Sequence, residues 1–178
     1  MWDFSEIKGI KGTKISENIG LMPGARFYPD ANLNYAENIL RAANNAIAIE
    51  EFREDGFSNA LTRMELESKA LKMAGWMKSN GVKKGDRVCA YMPNCSETII
   101  SMLATSALGA IFSSCSSDFG IEGVIDRFEQ IEPKIMIATN GYLYNGKVID
   151  RSKEIKTISK RLPSLEHIIV VEFISSSK

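Results

Sequence analysis

Histidine occurs once in these 178 residues, at position 167, and cysteine three times. One histidine excludes a His-rich metal site, and any Ser-His-Asp relay would have to run through His167 alone. Cys89, Cys95 and Cys115 are an odd trio without CxxC spacing. That argues against both a disulfide framework and a zinc site. No GxGxxG follows a strand pattern and no GxxxxGK[ST] is present, so a dinucleotide fingerprint and that type of phosphate cradle are both missing. Excess charge is missing as well, with 22 Lys+Arg against 22 Asp+Glu. Nothing therefore pulls the chain onto nucleic acid or an anionic membrane. No stretch approaches the roughly 20 apolar residues of a membrane span. The start, Met1-Trp2-Asp3, lacks the basic-then-apolar pattern of a secretory signal. What remains is 44% hydrophobic and 25% charged residues, an ordinary globular composition for one domain in a reducing cytoplasm.

The pattern along the chain predicts an α/β fold. The first 25 residues, broken by Gly9, Gly12, Gly20 and Gly24, read as a coat over a core. Asn34 is an N-cap for a short helix over 35–42, ended by Asn44-Asn45. A strand over 46–50 and a turn at Glu54-Asp55-Gly56 follow. Thr62-Arg63-Met64-Glu65 is a capping box, and Leu66, Ala70, Met73, Ala74 and Met77 recur at the helical period until Asn80-Gly81. A strand is expected over 87–91, then a helix capped by Ser96 and running to Leu108. That helix is apolar around most of its circumference and belongs deep inside a larger body. Further expectations are a strand over 110–112, a serine-rich loop over 113–117, and a helix after Asp118. A strand over 134–138, a polar loop over 140–147, a helix over 150–161 and an exposed-looking strand over 168–171 complete the order. Short strands alternating with helices mean a mostly parallel sheet flanked by helices. Ser175-Ser176-Ser177 is the only low-complexity tract.

The chemistry-bearing residues are few. His167, at a strand edge, reads as a surface or packing residue, and the cysteines as small buried hydrophobes. The serine loop leaves a strand and enters a helix, a place that favours an anion, although serine also serves as a plain loop former. The loop 140–147 lies beyond the carboxyl end of a strand, where open parallel sheets bind ligands. Tyr142 and Tyr144 could stack on a planar group there, and Lys147 could pair with a phosphate, although a Gly/Asn-rich turn with two tyrosines is also ordinary loop chemistry.

Arg87 to Phe112 with its flanks, together with GVKKGD and LTRMEL, resembles the early part of the acyl-CoA synthetases of the adenylate-forming superfamily. MPGARFYPDANLNYAEN, SSCSSDFG, DRFEQIEPK and GYLYNGK narrow the resemblance to the acetoacetyl-CoA synthetase branch. The resemblance implies an ATP-dependent ligase joining acetoacetate to CoA through an acyl-AMP, with Mg2+ accompanying the ATP. It divides the chain into an N-terminal extension, residues 1–45, and the first, incomplete α/β part of the AMP-binding N-terminal domain, residues 46–178. The phosphate loop ending in Pro-Lys, the adenine and ribose motifs and the late catalytic lysine are absent. The chain is thus expected to be roughly the opening quarter of such an enzyme, to need the remainder, and not to catalyse alone. Its small-molecule partners would be acetoacetate, ATP and CoA.

One site carries over from relatives that activate acetate: Tyr144, Asn145, Gly146 and Lys147 stand where a short basic stretch contacts the CoA phosphates. Tyr144 and Leu143 stand where relatives carry arginine, so Lys147 is the basic position retained. Ser117 replaces a usual proline. A synthetase for another short acyl acid and a self-contained binding module are the alternatives.

Overall fold

The computed structural model describes residues 1–174; the serine tract 175–177 lies outside the described residues. A two-residue ladder, β1 (Ser16–Glu17) and β2 (Arg26–Phe27), opens the chain. Helix α1 (Tyr35–Leu40) begins at Asn34, whose Oδ1 accepts from the Glu37 amide at 3.1 Å. The same side chain donates to the Ser106 and Ala107 carbonyls, both at 3.1 Å. A single residue thus caps α1 and satisfies the end of a second helix.

Strands β3 (Ile47–Phe52) and β4 (Ser58–Thr62) form an antiparallel hairpin. The second of these was not expected from the sequence, because Ser58-Asn59-Ala60 lacks apolar alternation. Helix α2 (Arg63–Ser79) follows at once. Its predicted capping box is present, with Glu65 N donating to Thr62 Oγ1 at 3.2 Å and Thr62 N donating to Glu65 Oε2 at 2.8 Å. Gly81 ends it at φ +80°, a conformation that costs glycine little.

The body is a four-stranded parallel sheet in the order β10-β7-β5-β6, where β5 is Arg87–Tyr91, β6 Ile111–Cys115, β7 Ile135–Thr139 and β10 His167–Val171. Helices α3 (Ser96–Ala107), α4 (Ile121–Glu129) and α5 (Ser152–Arg161) carry the crossovers. Alternation assigns the two faces. Val88, Ala90, Ile135 and Ile137 pack against Ala74 and Met77 of α2 and Ala104 of α3. Cys89, Tyr91, Met136 and Ala138 pack against Val124 and Phe128 of α4 and Ile158 of α5. A third cluster joins Leu40, Leu61, Leu66, Ala70, Ile100 and Leu103 between the first helices and β4. Helix α3 touches two of these clusters, and no residue from Ser96 to Ala107 is fully exposed, as its all-round apolar pattern requires.

Several sequence expectations need correction. Ser113 and Ser114 belong to β6, since the parallel ladder with β5 continues as far as Tyr91↔Cys115. Only Ser116 and Ser117 remain as loop. The helix after Asp118 starts at Ile121, with Gly120 at its N-cap. Ser96 is not a cap but the first residue of α3, and the cap position is Cys95, whose side chain makes no capping bond. The stretch 140–147 is not a loop but most of a hairpin, β8 (Gly141–Tyr144) and β9 (Lys147–Asp150). Asn145 at φ 50° and Gly146 at φ 71° close it as a two-residue type I′ turn.

Candidate ligand site at the carboxyl edge of the sheet

Strand β5 sits between β6 and β7, and the chain steps outward to β6 before crossing back to β7. Loops leaving β5 and β7 therefore diverge to opposite faces, which opens a crevice at their carboxyl ends. A cavity of about 280 Å³ lies there, walled by Asn94 after β5, Ser116 and Ser117 after β6, Tyr142 and Tyr144 of β8, and Arg53 of the β3–β4 turn.

Its floor is fixed by buried polar bonds. The Ser117 carbonyl accepts from the Tyr91 hydroxyl at 2.9 Å and from Arg151 Nε at 3.0 Å. Burial pushes the Tyr91 phenol up to about 12, so it stays a neutral donor. Arg151 reaches the Tyr142 hydroxyl at 3.2 Å and Glu154 at 3.1 Å, tying the hairpin to the serine loop. At Gly141 a Cβ would lie 2.4 Å from the Ile149 carbonyl, so only glycine allows this close start to the hairpin.

A second set of bonds crosses the cavity's other wall. The orphan amide of Ser96 at the start of α3 donates to Glu51 Oε2 at 2.9 Å, and the Ser96 hydroxyl donates to the same oxygen. A strand residue thus supplies the cap that Cys95 does not. The other Glu51 oxygen takes Arg53 Nε at 2.7 Å. Burial works against the Glu51 charge, but the Ser96 and Arg53 hydrogen bonds outweigh it and hold the carboxyl below its ordinary value. The Arg53 guanidinium lies between the rings of Phe57, 4.1 Å away, and Phe173, 3.7 Å away. Phe173 is held in turn by its amide bond to Asn140 Oδ1 at 2.8 Å.

The sequence-derived candidates divide clearly. Tyr142, Leu143 and Tyr144 line the cavity, and Asn145-Gly146 form the hairpin tip. Lys147 opposes Tyr144 in the ladder, is exposed, and has no ion pair among the described residues. Ser116 and Ser117 reach the cavity, whereas Ser113 and Ser114 stand on the strand. His167 lies at the opposite end of the sheet, edge-on to Trp76 at 5.7 Å, as a packing residue. All three cysteines are free and buried, and burial pushes their thiols up, that of Cys115 to about 12. Sequence reasoning missed Glu51, Arg53, Glu54 and Phe173. Glu51 near the end of β3 and Arg53 just past it stand two apart, which is the available signal; the distant partners Ser96 and Phe173 give none.

Aromatic walls with amide and hydroxyl edges suit a planar ligand, and an exposed lysine beside them suits an anionic one.

Known proteins match the chain over nearly its whole length. Acetoacetyl-coenzyme A synthetase of Rhizobium meliloti (strain 1021) is 43% identical over 162 residues, covering 91% of this chain and 25% of that protein. Acetoacetyl-CoA synthetase of Xenopus tropicalis is 38% identical, covering 97% of this chain and 26% of that protein. The chain spans about a quarter of the length of these curated relatives. The solved acetoacetyl-CoA synthetase from Streptomyces lividans superposes with a TM-score of 0.93 at 32% identity, over 99% of this chain and 28% of that one. The family described as AMP-binding enzyme matches residues 37–178. A match over that much of the sequence, carried on the same fold, means that the chain belongs to the AMP-binding enzyme family.

Proposed function

We propose that this chain is the N-terminal part of an ATP-dependent acid–thiol ligase that forms acetoacetyl-CoA, and that its own share of the work is to hold the nucleotide end of CoA. In such a ligase the acetoacetate carboxylate attacks the α-phosphorus of ATP, giving acetoacetyl-AMP and pyrophosphate. The CoA thiolate then attacks the acyl carbon and AMP leaves. Activation is needed because a carboxylate is a poor electrophile, while a mixed anhydride carries a good leaving group. Residues 1–45 would be the extension that precedes the ligase domain, and 46–178 its first α/β part. The unpaired, buried thiols support a reducing cytoplasm as its place of work. Mg2+ would accompany the ATP, and among the described residues no group of three or more His, Cys, Asp or Glu could hold it.

The observation that supports the reading is that Tyr142, Leu143 and Tyr144 of β8 line the carboxyl-edge cavity, with Lys147 opposite Tyr144 in the same hairpin, in a chain so similar to acetoacetyl-CoA synthetases. Within it Tyr142 and Tyr144 would flank the adenine, and Lys147 would meet a phosphate. Isothermal titration of the chain with CoA tests this. Binding is expected, weakened about tenfold by Lys147→Ala, the loss of one charge-assisted contact. Acetoacetate- and ATP-dependent thioester formation by the chain alone is expected to stay at background. Unchanged CoA affinity in Lys147→Ala, or turnover by the isolated chain, would overturn the corresponding half of the reading.

A further inference from the structure

Gly146 occupies the second central position of the β8–β9 turn, where the amide N–H points outward and has no partner within its own hairpin. That donor is nevertheless taken, because Glu54 Oε2 accepts from it at 2.9 Å across 92 residues of sequence. Glu54 lines the same cavity as Tyr144 and Arg53. The contact is not needed to close either hairpin. The β3–β4 turn is held by Arg53 N to Phe57 O at 2.9 Å, Gly56 N to Arg53 O at 3.1 Å and Phe57 N to Asp55 Oδ1 at 3.0 Å. Strands β8 and β9 pair through their full register without it.

The Glu54 charge is also uncompensated. Glu54 has no ion pair among the described residues, and the neighbouring Arg53 is committed to Glu51. Lys147, one residue beyond Gly146, makes no ion pair with it either. An exposed carboxylate therefore sits on a turn amide, beside a free lysine and at the mouth of a cavity. An incoming anion would use that same amide.

We infer that Glu54 is a resident competitor at the hairpin tip: its carboxylate occupies the Gly146 N–H that a phosphate of CoA would take, and must be displaced before the nucleotide seats. The inference rests on the CoA reading above. It makes Glu54 a negative determinant of affinity, the opposite of an ordinary site residue. Two anions compete for one amide donor, and a neutral side chain in place of Glu54 holds that donor more weakly and no longer repels an incoming phosphate. Because Glu54 is exposed, the gain is modest.

The test is titration of the chain and of Glu54→Gln with CoA and with adenosine 3′,5′-bisphosphate, with Asp55→Asn as the control. Asp55 is an exposed carboxylate in the same turn that does not touch Gly146, and its replacement changes net charge equally. Glu54→Gln is expected to bind both probes about three- to fivefold more tightly, while Asp55→Asn matches the parent. Without ligand, the Gly146 amide resonance should move in Glu54→Gln and stay in place in Asp55→Asn. Equal or weaker binding by Glu54→Gln overturns the inference and leaves the CoA reading intact. Equal tightening by Asp55→Asn also overturns it, since the effect is then general charge. If neither protein binds either probe, the CoA reading fails and takes this inference with it.

Discussion

Isoleucine means different things in two parts of this molecule. In β7, Ile135 and Ile137 are wholly buried, with every residue of the strand covered on both faces. In the arm over 11–30 no residue is buried, and Ile15, Ile19, Leu21, Met22 and Phe27 all lie exposed. The strand is set by packing, which a parallel sheet demands from both sides. The arm is set by local bonds: a two-residue ladder, the Leu21 and Ala25 turn bonds, and the Glu17–Arg26 ion pair at 3.0 Å. The difference teaches that apolar content alone does not locate a core. The number of faces a neighbouring element can cover decides it.

Substitutions should pull the two regions apart, most strongly at the aromatic positions. Phe128→Ala, at a fully buried ring between α4 and the sheet, is expected to cost about 3–5 kcal/mol. Phe27→Ala on the arm should stay within about 0.5 kcal/mol. Urea unfolding midpoints of the two variants make the comparison, and similar values would break it.

Glu51→Ala is expected to cost about 3 kcal/mol, because it strands both the Ser96 amide and the Arg53 guanidinium. Glu51→Gln keeps an acceptor and should cost less. The folded Glu51 carboxyl titrates below its ordinary value of 4.5, so its contribution is complete above that pH. It is lost as acid carries the pH down through the lowered value, and unfolding followed between pH 6 and pH 2 should show a shallower acid limb in Glu51→Gln. Thr62→Ala, which removes half of the capping box, should cost about 1 kcal/mol by the same assay. At the bottom of the scale, Asp3→Asn should leave the midpoint unchanged. Lys11 holds the Asp3 carboxyl low through a 2.7 Å contact, but the pair lies in solvent.

Legibility from sequence followed the same division. The capping box at Thr62, the Asn34 cap, the Gly81 stop and the alternation of strands with helices are local signals, and each stands where it was expected. The hairpin β8–β9 is hard to read although Asn145-Gly146 is a strong turn signal, because Tyr142, Leu143 and Tyr144 lack the alternation that marks a half-buried strand. Ser113 and Ser114 read as loop because serine favours loops, whereas pairing with Cys89 and Ala90 of β5 keeps them in the ladder. The carboxyl-edge position of the cavity follows from the βαβ order. The Glu51–Ser96 and Glu54–Gly146 bonds do not, since they span 45 and 92 residues.

The sequence by itself determined the helices, the order of the parallel strands, and the edge of the sheet where the cavity opens. These depend on period, caps and crossovers, which act over a few residues. Only the tertiary structure decided which carboxylate caps α3, which cation stands between Phe57 and Phe173, and which acid covers the Gly146 amide. The reason is physical: a hydrogen bond is satisfied by whatever donor folding brings within about 3 Å, and the chain order carries no record of that distance.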